Sequence, residues 1–164
     1  MSDPMTAFAA ALGAARAPID AFAALDVLVQ AVLGARLVSV TTVEQGGRLA
    51  RRSYSNMPGP YPVSGTKEVE PNRWTEIVVG RGETFVANTL AEIATVFPDH
   101  ELIGSLGLAS VVNMPVVLGG ELMATLNLLD VEGYFTPDRL ALIRDRLTLP
   151  TLAAQLAHDR LAGR

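Results

Sequence analysis

LASVVNMPVVLGGELMATLNLLD, residues Leu108 to Asp130, is the stretch whose reading decides the fold. Two apolar runs, Leu108 to Leu118 and Glu121 to Asp130, flank Gly119-Gly120, a pair able to take the positive φ that a tight hairpin turn demands. Their Val, Leu and Met content marks central strands, and Pro115 must then sit where no neighbour needs its missing N–H. Asn113 and Asn127 interrupt the apolar runs, and a buried amide requires partners. A two-residue turn sets Asn113 opposite Leu126 and sends the two asparagines to opposite faces, whereas a one-residue bulge brings them directly across from each other. Of the two roles open to them, tying loops to the sheet is favoured over ligand contact.

Working downstream, Thr136-Pro137-Asp138 is a helix start, with Thr as cap and Pro in the first turn, followed by Leu140, Ile143 and Leu147 on one face. Pro150 interrupts this pattern, and an interior proline costs roughly 3 kcal/mol, so a kink or restart is expected before Leu152, Leu156 and Leu161. Upstream, Leu90 to Phe97 and Glu101 to Leu106 read as short helices separated by Pro98-Asp99, with Asp99 a candidate cap for the second. Glu83 to Ala87 reads as a short strand, and a short helix is expected from about Pro71 to Gly80, with Trp74, Ile77 and Val78 on one side.

Further upstream, Arg36 to Gln45 and Arg48 to Asn56 are β-branched, alternating segments around Gly46-Gly47, and they predict a second hairpin. A two-residue loop pairs Tyr54 with Ser39 and Arg52 with Thr41, giving a polar and aromatic face suited to a pocket wall. The first 35 residues hold twelve alanines and an apolar stripe at three- and four-residue spacing, which predicts two helices. Pro18 suits the first turn of the second and Gly34 its end.

The order predicts an α+β fold: a largely antiparallel sheet of five to six strands, terminal helices over one face and short helices over the other. At 164 residues the chain is expected to form one unit, with helices over 5–34, a core over 36–130 and a C-terminal helix over 136–162. Nearly half the residues are apolar and 18% are charged, a globular composition. A net charge of −4 without a clustered Lys/Arg footprint argues against nucleic-acid binding. The apolar run from Met5 to Ala15 lacks the basic flank of a signal peptide, and no apolar stretch is long enough for a membrane span, so a cytoplasmic location is the expectation. The absence of cysteine removes disulfides, thiolate catalysis and zinc-thiolate sites.

The segment RSYSNMPGPYPVSGTKEVEPNRW, Arg52 to Trp74, holds three of the nine aromatic residues and four of the ten prolines. Three prolines between Met57 and Thr66 exclude helix and central strand there. Tyr54, Tyr61 and Trp74 admit two readings. They pack a long loop onto the sheet, or they wall a pocket in which Lys67 or Arg52 meets an anionic group while Ser55 and Ser64 orient the ligand. The candidate ligand-binding residues are therefore Arg52, Tyr54, Ser55, Tyr61, Ser64, Lys67 and Trp74, together with Asp99. Gly59 to Lys67 is not a phosphate loop, because five residues separate its glycines and Thr66 precedes Lys67. His100 and His158 lack metal-site spacing, and His100 reads as a surface or capping residue. No nucleophile elbow surrounds Ser64 or Ser105, and Glu76 and Asp99 have no acid–base mate, so no catalytic residue, metal or cofactor is assigned.

The pattern LGLASVVNMPVVLGGELMATLNLLDVEGYFTPD resembles the closing half of a GAF domain, with its proline-containing "PV" step, Gly-rich turn, "GTLNL"-like strand and "FTPED"-like helix start; Ala124 stands at the strand's glycine. RSYSNMPGPYPVSGTK followed by Trp is similar to small, stand-alone bacterial members of that family. The resemblance spans about Ala21 to His158. It implies a central antiparallel sheet, terminal helices that often pair two subunits, and a small-molecule pocket under the short middle helices. The cysteine-based methionine sulfoxide reductase and bilin-attaching activities of some members are ruled out here, and the Asn-Lys-Phe-Asp-Glu signature of cyclic-nucleotide binders is missing. The resulting expectation is a non-catalytic sensory domain for an unidentified small molecule, homodimeric through its terminal helices and acting on a separate partner. The alternatives are a cysteine-independent enzyme using the same pocket, marked by a paired acid and base inside it, and a pure interaction module, marked by a self-filled pocket.

Overall fold

The computed structural model describes residues 2–164; Met1, the first residue of the expected unit, lies outside the described residues. Two helices open the chain, α1 (Pro4–Ala14) and α2 (Pro18–Val32). Asp3 caps α1 by accepting from the Thr6 amide at 3.0 Å. Pro18 occupies the first turn of α2, and Gly34, at φ 76°, takes the left-handed conformation that ends it. The hairpin strands β1 (Leu37–Glu44) and β2 (Leu49–Ser55) follow, then the two-residue β3 (Lys67–Glu68). After them come the single turn α3 (Arg73–Thr75), running into a π-helical turn over Glu76–Gly80, and β4 (Phe85–Ala87). Next are the short helices α4 (Leu90–Ala94) and α5 (His100–Ser105), the long strands β5 (Ser110–Leu118) and β6 (Glu121–Asp130), and α6 (Pro137–Leu161).

All six strands join one antiparallel sheet in the order β3-β2-β1-β6-β5-β4, so the first strand and the last pair at its centre. Alternation along the strands sends even-numbered residues of β1, β5 and β6 (Val38, Val40, Val112, Met114, Leu126, Leu128) to one side. There Phe22, Leu25 and Leu28 of α2 and Ile143 and Leu147 of α6 bury them. The opposite side carries Leu37, Val111 and Leu129, covered by Val78, Ile93 and Ile103 from the short middle helices. The α+β fold, with terminal helices on one face and short helices on the other, is the expected one. β4 begins with Phe85 opposite Asn113, which leaves that edge of β5 open at Pro115, as a proline in a strand requires.

Two local expectations are corrected and one open alternative is decided. A one-residue bulge opposite Val40 and Thr41 makes Val40 the partner of Tyr54, although Arg52 remains opposite Thr41; the extra residue is Ser53, and it carries Tyr54 to the helix face. A second bulge, between Val116 and Val117 and their partners Ala124 and Leu122, sets Asn113 directly across from Asn127, the bulged alternative of the two. No restart occurs at Pro150: α6 continues through it, with Pro150 buried and the Thr151 hydroxyl donating to the Leu147 carbonyl at 2.7 Å. Packing of α6 against α2 and the sheet outweighs the hydrogen bond the proline forfeits.

Candidate functional site

The two bulges set the geometry of the sheet's second face. Reading across the strands there gives three rows about 6.8 Å apart, twice the rise per residue. The first row is apolar, with Leu37 opposite Leu129 and Leu129 opposite Val111. The second is Ser39, Asn127 and Asn113, and the third includes Arg52 and Thr41. These residues floor a cavity of about 190 Å³. Its walls are Trp74 of α3, Ile103 of α5, Phe97 and Asp99 from the turn between α4 and α5, and Tyr61 from the proline-rich loop.

The middle row is a closed hydrogen-bond network. The Trp74 indole N–H donates to Asn113 Oδ1 at 2.9 Å, and Asn113 Nδ2 donates to Asn127 Oδ1 at 2.7 Å. Asn127 Oδ1 also accepts from the Thr125 hydroxyl at 2.9 Å, while Asn127 Nδ2 donates to Ser39 Oγ at 3.3 Å and Thr41 Oγ1 at 3.0 Å. Every side-chain polar atom of the two amides is thus engaged, as burial demands. Asn113 also ties the α3 segment to the sheet, the role expected of it, while both asparagines line the cavity.

Tyr61 is the one buried residue of the loop over 57–66. Its ring lies under the Arg52 guanidinium, 4.9 Å from Cζ to the ring centre, and its hydroxyl donates to Asp99 Oδ2 at 2.9 Å. Burial first and the Asp99 carboxylate second push the phenol pKa well above its ordinary value, so Tyr61 keeps its proton. Arg52 Nη1 donates to the Pro62 carbonyl at 3.3 Å, and among the described residues no carboxylate lies within ion-pair distance of the guanidinium. Asp99 starts α5 without a side-chain capping bond, because its carboxylate is turned to Tyr61 instead.

Of the eight residues singled out in the sequence, the cavity therefore gathers Arg52, Tyr61, Trp74 and Asp99. Tyr54 is on the far face, where its hydroxyl donates to Asp26 Oδ2 at 2.7 Å beside Phe22. Ser55 accepts from the Met57 amide and Ser64 from the Arg52 amide, so both fasten the loop to β2 rather than line the cavity. Lys67 is exposed on β3 opposite Ala50, at the turn end of the hairpin and away from the cavity. His100 Nδ1 sits 3.1 Å from the Phe97 carbonyl, and His158 stacks on Phe22 at 4.7 Å in the helix layer. Among the described residues, no three His, Asp or Glu side chains come together as a metal ion would require. Ser39, Thr41, Asn113 and Asn127 are the polar cavity residues missing from those eight. Polar residues at alternate positions mark Ser39 and Thr41 on β1 and Asn127, after Thr125, on β6, whereas Asn113 is marked only as a lone amide in an apolar run.

The architecture is that of an α+β domain whose sheet separates a helical layer from a small lidded cavity. The model for the GAF domain family matches residues 18–156, and the chain belongs to that family, whose members are generally sensory or regulatory domains of signalling proteins. Solved structures with the same fold include the GAF domain of a two-component sensor histidine kinase from Bacillus halodurans, 16% identical at a TM-score of 0.70, covering 92% of this chain and 100% of that one. The GAF domain of a phosphoenolpyruvate-protein phosphotransferase from Coxiella burnetii is 20% identical at 0.69, covering 99% of both chains. A GAF domain/HD domain protein from Geobacter sulfurreducens is 14% identical at 0.69, covering 93% of this chain and 99% of that one. No curated protein matches the sequence. No helix among the described residues is long and apolar enough to cross a membrane.

Proposed function

We propose that this chain is a small-molecule-binding sensory or regulatory unit, non-catalytic, cytoplasmic and homodimeric, that passes its signal to a separate partner. The observation that carries the reading is the cavity itself. A pure interaction module would fill this space with its own side chains, yet about 190 Å³ stays open over a floor whose amides are held in place by one another. Preorganised polar groups beside apolar walls are the usual make-up of a ligand site.

The absence of catalysis is supported by the same geometry. The Tyr61 phenol beside Asp99 holds its proton, so it is no ready acid near neutral pH, and the cavity pairs Asp99 with no second acid or base. Dimerisation is supported by apolar side chains left exposed on the outer helices, Leu149 at 76% and Val27 at 68%.

Native mass spectrometry of freshly purified protein tests the binding reading, with a retained small molecule as the expected result. A bare protein that also takes up nothing from a metabolite library would overturn it.

A further inference from the structure

The floor of the cavity is graded along the strand direction, and that gradient specifies the chemistry of what fits. This step rests on the cavity being a ligand site. One end is the apolar row of Leu37, Leu129 and Val111, roofed by Ile103. Two rows away, about 14 Å along the strands, lie Arg52 and its cross-strand neighbour Thr41, with Ser39 between the ends.

The donors at the polar end are in excess. Ser39 Oγ and Thr41 Oγ1 each accept a hydrogen bond from Asn127 Nδ2, and neither hydroxyl donates to another group among the described residues. Arg52 spends one N–H on the Pro62 carbonyl and has no carboxylate partner among the described residues. The remaining N–H groups of this half-buried guanidinium and the two hydroxyl protons find no acceptor among the described residues, and a carboxylate matches the fork geometry of arginine.

Asp99, on the wall, sets the limit on charge. Tyr61 donates to one of its oxygens only, so the carboxylate still repels a second anionic group in the cavity. Volume sets the limit on size: a cavity of about 150 Å³ takes up benzene, so this one, about 190 Å³, suits a ligand of roughly eight heavy atoms.

We infer that the cavity binds a small monocarboxylic acid with an apolar body, its carboxylate on Arg52, Thr41 and Ser39 and its tail over Leu37, Val111 and Leu129. Binding of hexanoate to the full chain, followed by calorimetry and by the rise in melting temperature, tests this. Hexanamide, the same shape without the charge, and adipate, the same chain with a second carboxylate, serve as comparisons.

Hexanoate is expected to bind at least about tenfold more tightly than either. Arg52→Gln is expected to remove that preference. Thr41→Val, which keeps the β-branched shape but removes both the hydroxyl donor and one acceptor of Asn127 Nδ2, is expected to weaken hexanoate severalfold and hexanamide less, which guards against an Arg52 variant that fails to fold. Equal binding of acid and amide overturns the assignment of a carboxylate while leaving the ligand-site reading intact. Adipate binding as well as hexanoate overturns the role given to Asp99. No binding of any of the three at millimolar concentration overturns the proposal outright, and native mass spectrometry then judges the ligand-site reading separately.

Discussion

Asn113 and Tyr54 show how much one extra residue in a strand decides. Replacing Asn113 with Leu leaves the Trp74 N–H without its acceptor in a buried site, a loss of about 1–3 kcal/mol. The melting temperature is expected to fall by roughly 3–10 °C. Tyr54→Phe removes the bond to Asp26 on the helix face, so it is expected to cost about 1 kcal/mol and to leave hexanoate binding unchanged. Loss of binding in that variant would mean that Tyr54 faces the cavity after all. Tyr61→Ala and Trp74→Ala are expected to weaken ligand binding more than they lower the melting temperature, whereas the opposite ordering assigns both aromatics to loop packing alone. The sequence pointed to Arg52, Tyr61, Trp74 and Asp99 because charged and aromatic residues in a proline-rich or turn setting stand out. It misplaced Tyr54 because a bulge at Ser53 leaves no compositional mark, and every residue beyond the bulge changes face.

Among the elements, hairpins and helix starts were legible because they rest on local chemistry. Gly119-Gly120 turns β5 into β6 with both φ values positive, and Thr136 caps α6 by accepting from the Arg139 amide at 3.4 Å. The course of α6 through Pro150 was not legible. The cost of an interior proline is local, while the burial of Ile143, Leu147, Ala154 and Gln155 that overrides it is tertiary. Near the middle of this helix Leu149 points outward, and exposed Val27 lies on α2. Leu149→Glu combined with Val27→Glu is expected to convert a dimer into a monomer by light scattering without unfolding it, since neither side chain contributes to the core. An unchanged mass would place any subunit interface elsewhere.

For the whole molecule, one buried and one partly buried phenol bear on the response to alkaline pH. Burial and the carboxylates of Asp26 and Asp99 raise the pKa values of Tyr54 and Tyr61 above the ordinary value of 10.0. In the unfolded chain both lose their protons near that ordinary value, while the folded protein retains them, so the unfolded state binds fewer protons and stability falls as pH rises. The melting temperature is expected to show no pH dependence from these groups below about pH 9, where their stabilisation is fully present, and to decline above about pH 10. The Tyr54→Phe, Tyr61→Phe double variant is expected to flatten that decline, and an equally steep loss in the variant would remove the two phenols as its cause. By itself the sequence determined the α+β class, the antiparallel sheet, the positions of the helices and the family resemblance, because alternation, turn residues and caps act over a few neighbouring positions. Only the tertiary structure decided the two bulges, the face each polar side chain takes and hence which residues meet in the cavity. Register depends on how opposite strands and both covering layers pack together, a sum over contacts distant in the chain that no local pattern contains.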